Sequence, residues 1–315
     1  RNAEIHIHDL SMLTGYCAGW SLKQLIQEGL GGIPGKVTSK PASHLSSLCN
    51  QMVNFLGIMQ NEWAGAQAFS SFDTYLAPFV RTDNLTYKEV KQCIESFVFG
   101  VNTPSRWGTQ APFSNITLDW VCPPDLKDQP AIVGGKEQDF TYGDCQHEMD
   151  LVNKAFIEIM IEGDANGRGF QYPIPTYSIT SDFDWSETEN NKLLFEMTSK
   201  YGTPYFSNYI NSDMEPSDVR SMCCRLRLDL RELRKKSGGF FGSGESTGSV
   251  GVVTINMPRI AYQAENEADF YARLDHLMDL AARSLKTKRT VITKFLEAGL
   301  YPYTKRYLGT FDNHF

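Results

Sequence analysis

No stretch of this 315-residue sequence approaches the ~20 consecutive apolar residues that a membrane-spanning helix needs, so no membrane partner is expected. Positive charge is short as well. Thirty Lys and Arg stand against 37 Asp and Glu, for a net charge of −7 and an isoelectric point near 5.4. A broad basic surface for nucleic acid is therefore not expected. Free nucleotides stay compatible, because phosphate sites use local backbone amides and a few cations. The seven cysteines, at 17, 49, 93, 122, 145, 223 and 224, include no CxxC pair. Their odd number and irregular spacing argue against a secreted disulfide framework and against a structural zinc site. A reducing cytoplasm is the expected compartment, and Asn84-Leu85-Thr86 and Asn115-Ile116-Thr117 read as chance matches to a glycosylation acceptor. The sequence opens Arg1-Asn2-Ala3-Glu4, neither a signal peptide nor an initiator methionine, and is expected to start inside a longer protein. There is no internal repeat and no convincing interdomain linker.

Strand and helix patterns alternate along the rest. Residues 4–8 alternate as a strand and carry His6 and His8 on one face. Leu45, Leu48, Met52, Phe55, Leu56 and Met59 recur at helical spacing and predict a helix over 43–62. Thr86-x-x-Glu89 is a capping box for a second helix. Thr109 to Leu118 reads as a strand. Asp144 is expected to cap a helix stopped by Gly163. Tyr172 to Ile179 reads as a strand whose pairing Pro173 and Pro175 confine. Ser186-x-x-Glu189 is expected to open a helix closed by Gly202, 250–256 to form a short buried strand, and 266–298 a long helix stopped by Gly299. This order favours an α/β architecture.

The segment with most chemical content is Met222-Cys223-Cys224-Arg225, followed by Gly251 to Arg259 (GVVTINMPR). Adjacent cysteines rarely pair with each other, because the small ring they close is strained. A thiol at a bend, two residues after a thioether, suits radical or redox chemistry. By spacing alone, two small buried hydrophobes would also be consistent. The glycine-rich run 237–248 lacks GxGxxG spacing and a Gly-Lys-Ser/Thr ending, and reads as a flexible loop rather than a phosphate cradle.

Met-x-Cys-Arg, then Gly-Val-x-x-Ile-Asn-x-Pro-Arg-Ile-Ala, resembles the cysteine loop and next strand of anaerobic (class III) ribonucleoside-triphosphate reductases, which are glycyl-radical enzymes. The resemblance runs from Glu4–Asp9 through Asn102-Thr103, Thr109–Phe113 and the cysteine loop to the last helix. It implies a ten-stranded α/β barrel of two parallel five-stranded halves, of which these residues cover the first half and the finger loop. In the family the cysteine matching Cys224 becomes a thiyl radical and removes the ribose 3′ hydrogen, so that the 2′ hydroxyl leaves as water. Cys17 matches the partner cysteine on the first barrel strand, on the other face of the ribose. Met222 matches the thioether found in formate-using members. Cys223 stands where many of those members carry glycine, and a second thiol there suggests a redoxin-reduced subtype. Asn256 matches an asparagine that hydrogen-bonds the substrate hydroxyls, although a strand amide also needs partners for structural reasons. His8 is read as a formate- or substrate-side polar group. His6, His8 and Asp9 do not make a convincing metal site, and none is expected on this chain.

The resemblance also implies parts that these 315 residues do not contain. These are an N-terminal ATP-binding regulatory domain, a glycyl radical in an Arg-x-x-Gly-Tyr-like segment, and a four-cysteine structural zinc site. Residues 1–315 are thus expected to be a partial catalytic barrel, a fragment or a split half, inactive alone. Implied partners are a ribonucleoside triphosphate, dNTP and ATP effectors, and formate or a thioredoxin-like reductant. A radical S-adenosylmethionine iron–sulfur activating enzyme, a second copy in a homodimer and a C-terminal half chain complete the set. The helix at 43–62 and the segment Asp73–Phe79 resemble the region of dimerisation and effector binding. Two other readings stay open: another glycyl-radical enzyme, of the formate acetyltransferase or dehydratase type, and a non-catalytic nucleotide-binding module.

Overall fold

The computed structural model describes residues 3–104, 111–212, 246–312 and 314. Its centre is a sheet of very short strands. β2 (Cys17–Trp20), β3 (Gln67–Phe69), β4 (Ser114–Leu118), β7 (Ile174–Ile179) and β8 (Tyr205–Asn208) run parallel, and β9 (Gly248–Ser249) adds to β2 antiparallel. The order is β8-β7-β4-β3-β2-β9. β1 (Ile5–Ile7) pairs antiparallel with β10 (Val253–Ile255), and β5 (Pro130–Val133) with β6 (Lys136–Thr141).

Helices connect the parallel strands, as that pairing requires. α1 (Leu22–Glu28) and α2 (Leu45–Met59) lie between β2 and β3, and α3 (Phe72–Thr82) and α4 (Tyr87–Asn102) between β3 and β4. α5 (Pro124–Lys127) and α6 (Gln146–Glu162) precede β7, and α7 (Glu189–Tyr201) precedes β8. α2, α4, α6 and α7 pack successively side by side. α8 (Met257–Gln263), α9 (Glu267–Glu297) and α10 (Pro302–Tyr307) follow β10. The α/β class expected from the sequence holds, and the five parallel strands have the extent of one expected half-barrel.

Several local expectations hold for the expected physical reason. The Thr86–Glu89 capping box is complete, and Gly202 ends α7 in the left-handed region at φ 66°. Others are corrected. Asp144 does not cap α6, because its carboxylate is taken by the backbone N–H and hydroxyl of Thr141, at 2.8 and 3.0 Å. Thr188, not Ser186, caps α7; Ser186 is held by Asp184. Pro173 and Pro175 do confine the pairing of β7, which meets β8 only from Thr176 onward, past both prolines, while the strand lies between β4 and β8. Of the strand expected over 250–256 only Val253–Ile255 forms, as β10, and it is half-buried because one face of the β1–β10 ribbon is left uncovered. The strand expected from Thr109 begins at Ser114; residues 105–110 lie outside the described set. α9 fills the range expected for the long helix but buries only Leu277, Ile292 and Leu296, so its other apolar side chains stay at least partly accessible.

A buried carboxylate fastens the sheet to its helices. Asp73, in the first turn of α3, accepts from the backbone N–H groups of Thr74, Asp119 and Trp120 at 3.1, 2.8 and 2.9 Å, and from Asn153 Nδ2 at 2.9 Å. It thereby fixes the sharp exit from β4, where Trp120 has φ 66°. At the other end, Glu62 accepts from the N–H groups of Tyr303 and Thr304 at 3.0 and 2.7 Å and so caps α10.

Candidate active site

Strand side chains alternate between faces. In β2, Ala18 and Trp20 join the main apolar core, and Cys17 does not; it packs with Ala66, Ala68 and Tyr16. The parallel register carries this split across the sheet. Trp20, Phe69 and Ile116 form one row, and Leu118 with Tyr177 another, all toward the helices. On the opposite face, Gly19, Ala68 and Asn115 share a row, Thr117 and Thr176 the next, and Ser178 and Ser207 the last. Strands of parallel sheets are ordinarily apolar on both faces, because both are covered. This sheet instead presents one apolar face and one of small and hydrogen-bonding side chains, with Cys17 at its edge. Such a face can receive a polar ligand.

The backbone around Cys17 is tightly enclosed. Cys17 is 2% exposed. Ser249 is its Cα partner on β9, and the ladder includes Tyr16 N–H to Ser249 O at 2.9 Å and Gly19 N–H to Thr247 O at 2.7 Å. Two glycines make the closeness possible. A Cβ on Gly65 would lie 2.8 Å from Cys17 Sγ, and one on Gly248 would lie 2.2 Å from the Cys17 carbonyl oxygen.

His8 lies beside Tyr16, the residue before Cys17. Its backbone N–H donates to Val252 O at 3.1 Å, its Nε2 is 2.8 Å from Thr254 Oγ1, and its ring meets those of His6 and Tyr16 edge to face. Asn256 is placed differently from Cys17. It caps α8, accepting from Arg259 N–H at 3.1 Å and donating to Ala3 O at 3.0 Å, and it is exposed. Ser249 is the residue that the structure pairs with Cys17. Met222, Cys223 and Cys224 lie outside the described residues, as does most of the glycine-rich run.

Of the other described cysteines, Cys93 is half-buried, and Cys49, Cys122 and Cys145 are buried thiols. Burial pushes Cys122 and Cys145 up to about 12 and Cys49 up as well, so all three are protonated at neutral pH. Among the described residues, no three of His, Cys, Asp and Glu converge as a metal site. No described helix is long and apolar enough to cross a membrane.

Of the two segments matched to dimerisation and effector binding, Asp73–Phe79 is wholly buried in α3 and offers no surface. α2 does offer one, where Ser46, Ser47, Asn50 and Asn54 line a groove of about 1280 Å³.

Sequence reasoning missed Ser249 and the polar sheet face. A signal was present: Asn115 and Thr117 alternate with Ile116 and Leu118, and Thr176 and Ser178 alternate with Tyr177 and Ile179. The first pair was read as a chance glycosylation match.

Comparison with known proteins gives one consistent result. The family described as anaerobic ribonucleoside-triphosphate reductase matches residues 1–315. Reductases of that name from Haemophilus influenzae and Escherichia coli are each 22% identical to the chain, over 90% of it and 40% of their own length. The crystal structure of the anaerobic ribonucleotide reductase from Thermotoga maritima with citrate in the active site superposes with a TM-score of 0.74 at 21% identity, covering 100% of this chain and 55% of that one. The same enzyme in complex with dATP and CTP gives 0.72 at 20% identity, covering 100% and 52%. The chain thus spans about two fifths of the length of the curated relatives it matches. With a family match along its whole length and a fold shared with a solved reductase, the chain belongs to the anaerobic ribonucleoside-triphosphate reductase family of oxidoreductases.

Proposed function

We propose that this chain is the first half of the catalytic barrel of an anaerobic ribonucleoside-triphosphate reductase, and that the polar face of the parallel sheet is where the ribose lies. The observation that carries this reading is Cys17, an enclosed thiol at the edge of that face, opposite Ser249. In this reading Cys224 takes the 3′ hydrogen of the ribose as a thiyl. The transfer is reversible because S–H and activated C–H bonds are close in strength. The 2′ hydroxyl leaves as water, and Cys17 takes part in the reduction from the opposite side. Ser249, Asn115 and Thr176 are hydrogen-bonding side chains that can orient the hydroxyls in this reading. Met222 and Cys223 flank the thiyl and set the reductant, formate or a redoxin.

The glycyl radical supplies the one-electron oxidation of the cysteine, and it belongs with the zinc site to a segment outside these residues. Further parts of the reading are the ten-stranded closed barrel, activation by a radical S-adenosylmethionine enzyme, and a homodimer with dNTP and ATP regulation, for which α2 provides the accessible face. The match of one family along all 315 residues favours this reading over another glycyl-radical enzyme.

The test is anaerobic reduction of CTP by the chain combined with the remaining catalytic segment, after activation, with formate and a thioredoxin system in separate reactions. Deoxycytidine triphosphate that disappears in both Cys224→Ser and Cys17→Ser supports the reading. The productive reductant identifies the subtype. No product, despite a glycyl radical seen by electron paramagnetic resonance and an intact fold, refutes it.

A further inference from the structure

Glu62 lies in the link between α2 and β3, three residues before Gly65, and is 9% exposed. Both of its carboxylate oxygens are spent on main-chain donors of α10, the N–H groups of Tyr303 and Thr304, at 3.0 and 2.7 Å. The next residue, Trp63, donates its indole N–H to Thr304 Oγ1 at 2.9 Å. Glu62 and Trp63 thus grip the same turn of α10 from adjacent positions. A helix of six residues is too short to be stable alone, so α10 depends on such contacts.

The other end of the link meets the thiol. The Trp63 ring fills the space beside Gly15, where a Cβ would stand only 2.3 Å from it. The N–H groups of Ala64 and Gly65 donate to the carbonyl oxygens of Gly15 and Tyr16 at 3.0 and 2.6 Å. Gly65 then passes Cys17 so closely that a Cβ on it would lie 2.8 Å from Sγ. On the other side of β2, the Trp63 ring also supports His314, at 5.3 Å between centroids. His314 bridges to Gly248 of β9, the strand paired with Cys17. Three residues span at most about 10 Å, and a close-packed interior passes a shift on rather than absorbing it. A displaced Glu62 is therefore felt at Cys17 from the β3 side and from the β9 side.

We propose that Glu62 is a positioning residue for Cys17: its grip on α10 fixes the α2–β3 link and the Trp63 ring, and through them the place of the thiol. The part that this thiol plays in turnover rests on the reductase reading above, whereas its placement is measured without turnover. The full chain and its variants are treated with iodoacetamide at fixed pH, and the alkylation rate of each cysteine is followed by peptide mass spectrometry. Cys49, Cys122 and Cys145 are buried elsewhere in the fold and report any general loosening.

Glu62→Gln keeps the size of the side chain but turns amide donors toward one of the two backbone N–H groups. Cys17 should then be alkylated about 10-fold faster than in wild type, with Cys49, Cys122 and Cys145 changed by less than about 2-fold, because local opening is separable from global unfolding. Thr304→Val removes the acceptor of Trp63 Nε1 and should speed Cys17 alone by about 3-fold. It decides the matter by the same comparison if Glu62→Gln does not fold. The proposal is overturned if all four thiols accelerate together, which makes Glu62 a cap of α10 and nothing more, or if none accelerates. In the reconstituted, activated reductase, Glu62→Gln should lower kcat for CTP reduction by about 10-fold with KM unchanged, because the ribose still finds the polar face. Selective alkylation of Cys17 with turnover unaffected would uphold the positioning and count against the part given to Cys17 in the reduction.

Discussion

Ser249 faces Cys17 directly across the antiparallel pair of β2 and β9. Directly opposed residues hold their Cβ atoms about 4.5–5.5 Å apart on one face of a sheet. The serine hydroxyl is therefore the hydrogen-bonding side chain next to the thiol proposed to act in reduction. Asn256, seven residues further on, spends its amide on capping α8.

Ser249→Ala should leave the fold intact and lower kcat/KM for ribonucleotide reduction by about 10-fold, the worth of one hydrogen bond made to a substrate hydroxyl. Asn256→Ala should instead lower the melting temperature, through the lost cap worth about 1 kcal/mol, with a smaller effect on turnover. Steady-state kinetics and thermal unfolding of the two variants separate the roles; the reverse pattern would return the substrate contact to Asn256.

Gly65→Ala should be far more harmful than its size suggests. Its Cβ would stand 2.8 Å from Cys17 Sγ and 2.7 Å from Tyr16 O. Backbone on one side and a buried thiol on the other cannot both yield, so a loss of about 1–3 kcal/mol is expected. Reduction should fall further than stability, because the thiol itself is displaced. Equal retention of activity and stability would show that the approach is not close in solution.

Asp73→Asn should destabilise the fold by about 2–4 kcal/mol. Four N–H groups converge on this carboxylate, and an amide would turn its own donors toward some of them. Denaturant unfolding measures the loss, and Asp73→Ala should cost at least as much.

His314 should make the fold sensitive to mild acid. Its ring is buried against Trp63 and Phe311, and both ring nitrogens lack hydrogen-bond partners. Burial first, and then the charge of Arg289, push its pKa from 6.5 down to about 3. The sign follows from proton uptake. Below pH 6.5 the unfolded chain binds a proton that the folded chain refuses, so its stabilising contribution is full above 6.5 and is lost as pH falls toward 3. The slope reaches at most about 1.4 kcal/mol per pH unit. Chemical unfolding at a series of pH values should show this slope in wild type and a smaller one in His314→Leu.

Much of the framework was legible because local rules and tertiary packing agree. The Thr86–Glu89 box and the glycines that end helices act within one turn, so adjacent residues suffice to read them. Asp144 and Ser186 misled because short polar side chains have several local partners, and the turn beside each offered a better one. Asn115 and Thr117 misled for a different reason. Two polar residues in a parallel strand gain meaning only when the register sets Thr117 beside Thr176 on one face.

The sequence by itself determined the family, through motifs spread over the whole chain, and the α/β class, through periodicities that any packing must respect. Through the resemblance it also gave the expectation that Cys17 takes part in the chemistry. Only the tertiary structure decided which groups stand beside that thiol. Ser249 lies 232 positions from Cys17, as the numbering in the sequence gives. Nothing local links residues so far apart. They meet because β9 completes the edge of the sheet and α9 packs back over β1 and β10, arrangements fixed by burial and hydrogen-bond register summed over the chain.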